Sequence, residues 1–381
     1  MVDRRHHSAS DRAPLRVCPR RRRTRRCPGN VGDLELRLVA GVRQVAQDLP
    51  RPHRGEPAGD AGHPRAGHAA ALTPSSGGPA SVLQPTYDGG VSREVSVAEV
   101  SELLGQRGPA LVLTGAGIST ESGIPDYRGP DGNRRVTPMS QQEFVATSGA
   151  RQRYWARSFI GWQRFTVAEP NAGHRAVTGL QRAGAFGTVI TQNVDGLHQD
   201  AGTRDVIELH GSLAEVECLT CGERVDRDLV QAFMDDANPG FASLALGLVG
   251  DGSQISSQIR PDGDIVLADS AVETFIAPRC LVCRADTLKP DVVFFGGSVP
   301  KQRVEQCFAL TEAAPALVVL GSSLKVMSGY RFVRRAAAHG IPVVVVTKGP
   351  TRADAETTHR IDAPLGVTLS ALADEFAVRV N

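Results

Sequence analysis

Four of the chain's seven cysteines form two Cys-x-x-Cys pairs, Cys218 with Cys221 and Cys280 with Cys283. Two such knuckles supply the four thiolates of a closed tetrahedral zinc site. A closed ligand set leaves no position for water or substrate, so the expected role is support of folding rather than metal catalysis. Two disulfides are the other use of paired cysteines, but with no secretory apolar segment in view a reducing compartment is expected, and metal is favoured there. Cys307 reads as a buried core thiol within a helix. A different chemistry is suggested by Thr114-Gly115-Ala116-Gly117-Ile118-Ser119. Glycines in such a turn let the backbone approach a pyrophosphate, whose charge is met by N–H groups at a helix start. A lone Gly-x-Gly is a weak signal, and the third glycine of the usual dinucleotide fingerprint is missing. Two further polar segments each carry a histidine: Thr191-Gln192-Asn193-Val194-Asp195-Gly196-Leu197-His198 and Glu208-Leu209-His210-Gly211-Ser212. An imidazole titrating near pH 6.5 suits a general base, although a histidine in a polar loop can equally be structural.

The elements that must position these residues follow from the apolar pattern. Pro109 to Thr114 is a short apolar run ahead of the glycines and predicts a buried parallel strand. Similar runs recur at Thr188 to Thr191, Ala316 to Leu320 and Pro342 to Val346, with helical stretches at Pro170 to Ala183 and Gly329 to His339 between them. Ser96 and Glu99 stand in N-cap and capping-box positions, so order is expected to begin near Val97. Strands alternating with helices predict an α/β fold with an open Rossmann-type parallel sheet and a ligand beyond the carboxyl ends of the strands. The expected catalytic domain covers 97–212 and 286–381, with a small zinc-binding module inserted at 213–285. Within that module 237–258 is rich in Gly, Ser and Asn and reads as a long loop.

Residues 1–90 read as a disordered extension, or as the product of a start codon assigned too far upstream: basic at 20–26, then dominated by Pro, Gly, Ala and His. The formal charge of +2 gives no argument for a nucleic-acid or membrane partner, and no apolar run is long enough to span a bilayer.

Taken in order, and with the continuation Ser119-Thr120-Glu121-Ser122-Gly123-Ile124-Pro125-Asp126-Tyr127-Arg128-Gly129, these segments resemble the sirtuins over residues 97–381. Lys289 to Gly296 and Gly321-Ser322-Ser323-Leu324-Lys325-Val326 add to the likeness. The resemblance implies an NAD-dependent enzyme that removes acyl groups from protein lysines, with NAD and Zn2+ as cofactors and acylated lysine side chains of proteins as partners. It implies that NAD lies across the strand ends, its pyrophosphate near Gly115, Ala116, Gly117 and Ser322, with Gly321 and Ser323 in the same loop. Arg128 and Gln192 would hold the phosphate and ribose portions. Ile124, Asn193 and Asp195 would form the nicotinamide pocket, flanked by Asp126, Tyr127 and Val194. Thr347, Lys348, Gly349 and Leu365 would border the adenosine, and Val293 and Phe294 the acyl-lysine channel. The acyl oxygen would attack the nicotinamide ribose, and His210, beside Asn193 and Asp195, would act as the general base on the ribose hydroxyls.

One departure stands out: the family usually has Asn where this chain has Thr347, and a hydroxyl cannot reproduce an amide's donor–acceptor pair. Arg151 to Arg157 and Arg260 to Asp264 look most like the class II sirtuins. Tyr154 and Arg157 have the spacing that contacts acidic acyl chains in desuccinylating relatives, although an exposed helix face would give the same spacing. Protein ADP-ribosyl transfer would use the same pocket, and an NAD-sensing binding protein is the reading from another class. A nucleic-acid module is disfavoured because basic and aromatic residues are not interleaved. Nothing in the sequence specifies export, so a cytoplasmic location is expected.

Overall fold

The computed structural model describes residues 93–128, 133, 137–249, 265, 267 and 269–380, all within one compact unit, 76–381. The expectations for 1–90 and for 260–264 lie outside the described residues. Each apolar run becomes a strand: β2 (Ala110–Thr114), β3 (Phe186–Thr191), β8 (Leu317–Leu320) and β9 (Val343–Val346). With β1 (Arg93–Glu94), β4 (Val206–Glu208) and β10 (His359–Ile361) they form a seven-stranded sheet in the order β1-β10-β9-β8-β2-β3-β4, every pair parallel.

The continuous apolar character of β2, β8 and β9 has a simple cause: all their residues are buried because helices cover both faces. Val112 points into a core built with α1 (Val97–Arg107), α4 (Ala172–Arg182) and α11 (Leu365–Val380). Its neighbours Leu111 and Leu113 point the other way, into a core with α9 (Lys301–Ala313) and α10 (Met327–Ala338). The capping box at Ser96 and Glu99 is present, and α4 carries a matching one in which Asn171 and His174 satisfy each other's backbone N–H. Cys307 is fully buried in α9, and burial pushes its thiol up to about 11.

A second sheet is antiparallel: β5 (Gly211–Cys218) lies between β6 (Arg224–Asp226) and β7 (Leu288–Val292). Its core holds Phe144 of α2 (Gln141–Ala146), Trp155 and Phe159 of α3 (Ser148–Phe165), Val230 of α6 (Arg227–Ala237) and Val272 of α8 (Asp269–Thr274). Trp155 Nε1 donates to the Leu288 carbonyl at 3.0 Å, and Arg151 grips Asp286 through both a backbone and a carboxylate bond. Helices α2 and α3 thus pack with the second sheet although they precede it by many residues. The expected loop at 237–258 is corrected in part, because Phe241–Val249 forms α7, whose Phe241 and Ala245 are buried in this core. The apolar face of that helix outweighs its glycine and serine content. A short α5 (Leu197–Asp200) completes the set of helices that bear on the site.

Candidate active site

The chain leaves β2 toward β3 on one side and returns to β8 on the other, so β2 and β8 flank the point where strand order reverses. Loops at such a point diverge and leave a crevice. Here a cleft of about 1140 Å³ opens over the carboxyl ends of β2, β3, β8 and β9. Its floor is a crossing of two loops. Gly117 N–H donates to the Gly321 carbonyl at 2.9 Å, and Gly115 N–H donates to Leu320 at 3.0 Å. A Cβ on Gly115 would stand 2.8 Å from Ser322 Cβ, so close approach demands glycine at that position.

The β3 loop is tied to this floor by its side chains. Gln192 Nε2 donates to the Thr114 carbonyl at 3.1 Å and to Ser322 Oγ at 2.9 Å. Asn193 Nδ2 donates to the Gly115 carbonyl at 3.2 Å and to Ser119 Oγ at 3.0 Å. Ser119 Oγ in turn donates to Asp195 Oδ2 at 2.7 Å, while Leu197 N–H donates to Oδ1. Burial pushes the Asp195 carboxyl up, against the lowering effect of these hydrogen bonds. Asn193 and Asp195 are therefore held by two loops at once, which fixes their rotamers in the cleft wall.

His210 enters from the start of β5. The following residue, Gly211, has φ +82°, and a Cβ there would lie 1.9 Å from the Asp291 carbonyl oxygen, so the tight passage behind the imidazole admits only glycine. Val293 N–H donates to the His210 carbonyl at 2.7 Å and locks the backbone. The ring is bonded at both nitrogens: Nδ1 to the Gln192 carbonyl and Nε2 to Ser328 Oγ, each at 2.8 Å. A carbonyl only accepts, so Nδ1 carries the hydrogen and Nε2 is the basic nitrogen. Burial lowers the imidazole pKa; the Gln192 carbonyl opposes this, and the cations Arg303 and Arg331 add to it. The imidazole is neutral near pH 7.

Of the remaining residues singled out from sequence, Ala116, Ile124, Asp126, Tyr127, Arg128 and Val194 line the cleft. Ser322, Ser323, Thr347, Lys348 and Leu365 also line it, as do Val293 and Phe294. Gly349 stands just behind the wall, its N–H donating to Asp362. Tyr154 and Arg157 do not reach the wall. Tyr154 is 1% exposed, packed at 5.4 Å from Phe144 and 5.2 Å from Phe294, which corrects the expectation of an open helix face. Residues that sequence reasoning did not place in the site include Glu121, Lys301, Ser328 and Arg331. Their signal was spacing alone: Ser328 and Arg331 lie three apart on α10 and so share a face.

The Sir2 family model matches residues 115–328, more than half of the chain. The chain belongs to the Sir2 family. This sirtuin is 51% identical over 286 residues to the NAD-dependent protein deacetylase 1 of Streptomyces coelicolor, an alignment covering 75% of this chain and 91% of that protein. It is 42% identical over 285 residues to the NAD-dependent protein deacylase Sirt4 of Drosophila melanogaster, covering 74% and 88%. Among solved structures, a Sir2 enzyme from work on the mechanism and regulation of these enzymes superposes with a TM-score of 0.57 at 30% identity, over 74% of this chain and 98% of the other. A Sir2 with p53 peptide and NAD+ superposes at 0.55 and 26% identity, covering 74% and 100%.

The four cysteines meet at the edge of the antiparallel sheet. Both knuckles fold alike: Gly222 N–H donates to the Cys218 carbonyl and Arg284 N–H to the Cys280 carbonyl, and both donors have positive φ. All four sulfurs lie within 4.8 Å of one another, with Cys218 to Cys283 and Cys221 to Cys280 at 3.6 Å. Zinc–sulfur bonds of about 2.3 Å in a tetrahedron place sulfurs about 3.8 Å apart. These separations fit zinc and are far too long for disulfides of about 2.05 Å. The site is suited to a zinc ion that ties the 218–221 turn to the 280–283 turn.

Proposed function

We propose that this sirtuin is an NAD-dependent protein-lysine deacylase. The observation that carries the reading is His210, a neutral imidazole whose basic Nε2 borders the cleft beside Asn193 and Asp195. NAD supplies the ADP-ribosyl group that takes up the acyl chain as nicotinamide leaves. Gly115, Ala116, Gly117, Ser322 and Ser323 would offer backbone and hydroxyl donors to its diphosphate, with Arg128 as a cation and Gln192 at the ribose. Thr347, Lys348 and Leu365 would border the adenosine, and Gly349 holds that loop through Asp362. Ile124, Asp126, Asn193 and Asp195 would enclose the nicotinamide and orient its carboxamide. Tyr127 and Val194 extend the same wall, and Val293 and Phe294 form the apolar side along which an acyl-lysine lies.

His210 takes the ribose hydroxyl proton at Nε2 while Nδ1–H stays on the Gln192 carbonyl, which fixes the ring plane. Base assistance of this kind contributes on the order of 10²–10⁴-fold. The zinc ion supplies structure, since its four thiolates leave no coordination site for chemistry. The class II assignment rests on the sequence segments Arg151 to Arg157 and Arg260 to Asp264. A cytoplasmic location and the absence of nucleic-acid partners belong to the same reading; among the described residues no helix is long and apolar enough to cross a membrane.

The test is product analysis. With NAD and an acetyl-lysine peptide, mass spectrometry should find free lysine peptide and O-acetyl-ADP-ribose in equal amounts. Peptide that gains the mass of ADP-ribose and keeps its acetyl group would establish protein ADP-ribosyl transfer instead.

A further inference from the structure

His210 Nε2, the nitrogen that must receive the proton, is already bonded to Ser328 Oγ at 2.8 Å. With Nδ1–H given to the Gln192 carbonyl, Nε2 offers only a lone pair, so the Ser328 hydroxyl is the donor. The surroundings favour that direction. Ser328 sits in the first turn of α10, whose N-cap Val326 provides no side-chain acceptor, so the ring is bonded at the positive end of the helix dipole. Arg331 lies one turn further on and also lines the cleft, and Arg303 of α9 donates to the neighbouring Leu209 carbonyl at 3.4 Å. The carboxylates on the other sides are Asp195, held by Ser119, and Glu208 of β4, held by Gln199. Neither is hydrogen-bonded to the imidazole.

We propose that Ser328 is a positioning residue for this sirtuin's base: its hydroxyl holds Nε2 of His210 in the orientation the reaction needs, keeps it unprotonated, and yields the place to the ribose hydroxyl. The inference rests on the deacylase reading for its last clause only. The exchange is one hydrogen bond for another, with no net proton movement until the ribose hydroxyl gives its proton to Nε2. Because Ser328 acts before the ribose arrives, its removal alters the free enzyme more than the complex. The hydroxyl matters, not the volume, so threonine can replace it.

The experiment compares wild type with Ser328→Ala and Ser328→Thr by two readouts. Carbon-detected titration of His210 in the NAD-free protein should show its midpoint moving upward by about half to one pH unit in Ser328→Ala and returning in Ser328→Thr. The acid limb of kcat/KM reports the free enzyme and should move by the same amount, while the acid limb of kcat, which reports the complex, stays in place. An unmoved His210 titration in Ser328→Ala overturns the inference. A roughly hundredfold loss of turnover at every pH, with both limbs unmoved, also overturns it and makes Ser328 a proton relay. If the titration moves but no acyl peptide is turned over, the deacylase reading fails and the Ser328–His210 contact stands.

Discussion

Substituting Gly115 by alanine tests whether the crossing of the β2 and β8 loops builds the cofactor cleft. The new methyl would stand 2.8 Å from Ser322 Cβ, 2.9 Å from Ser322 Oγ and 3.0 Å from the Gly321 carbonyl oxygen. None of these is the free end of a long side chain, so the β8 loop must move. Overpacking of this kind costs about 1–3 kcal/mol. Displacing Ser322 also breaks its bond to Gln192, about 0.5–1.5 kcal/mol more. The total, about 1.5–4.5 kcal/mol, corresponds to a loss of about 2–7 °C in Tm for a unit of this size. Moving the β8 loop also displaces Ser322 and Ser323 from the cleft wall, so kcat/KM for NAD should fall about 10-fold or more. Differential scanning calorimetry and a nicotinamide-release assay at varied NAD read the two effects. The double variant Gly115→Ala, Ser322→Gly removes the two Ser322 contacts and should recover at least about 1 kcal/mol relative to additivity. A single variant within about 0.5 kcal/mol of wild type with unchanged NAD kinetics refutes the crossing, as does strict additivity in the double variant.

Two further outcomes concern a pair of buried histidines and the cysteine cluster. His198 and His174 face each other at 5.0 Å beneath the sheet, and burial pushes them down to about 4 and about 3. Both native values lie below the unfolded value near 6.5, so stability is complete above that pH and is lost as pH falls toward 4, about 3 kcal/mol from His198 alone as an order of magnitude. Urea midpoints should drop between pH 7.5 and 5, and by less in His198→Gln; equal midpoints at both pH values contradict burial of neutral imidazoles. Purified protein should carry one zinc per chain, which Cys221→Ser abolishes; since structural zinc contributes on the order of 10 kcal/mol, its removal should lower Tm by more than about 10 °C. A chain that melts at the same temperature with and without zinc contradicts the structural role.

Much of the molecule was legible because its signals are local. A strand covered on both faces must be apolar throughout, so β2, β8 and β9 announce themselves, and the glycines at 115 and 117 mark where two loops touch. The cysteine spacing names a knuckle because each turn closes within a few residues. What stayed hidden depends on tertiary placement. Nothing in the sequence of α3 says that Trp155 will bond to Leu288 and carry that helix to the antiparallel sheet. The same burial packs Tyr154 against Phe144 and Phe294. Helix α7 was obscured because glycines and serines around Phe241–Val249 weigh more in composition than its apolar stripe. Ser328 was invisible for a different reason, since its importance lies in meeting His210 across 118 positions of sequence.

The most direct test of the assignment is nicotinamide release by wild type and His210→Ala over a panel of acetyl-, succinyl-, glutaryl- and lipoyl-lysine peptides, with NAD binding measured in parallel. Release that depends on one or more acyl peptides in wild type, and is lost in His210→Ala while NAD still binds, is the predicted result. Release no higher than the peptide-free blank across the panel, from folded and zinc-loaded protein, would contradict the deacylase assignment.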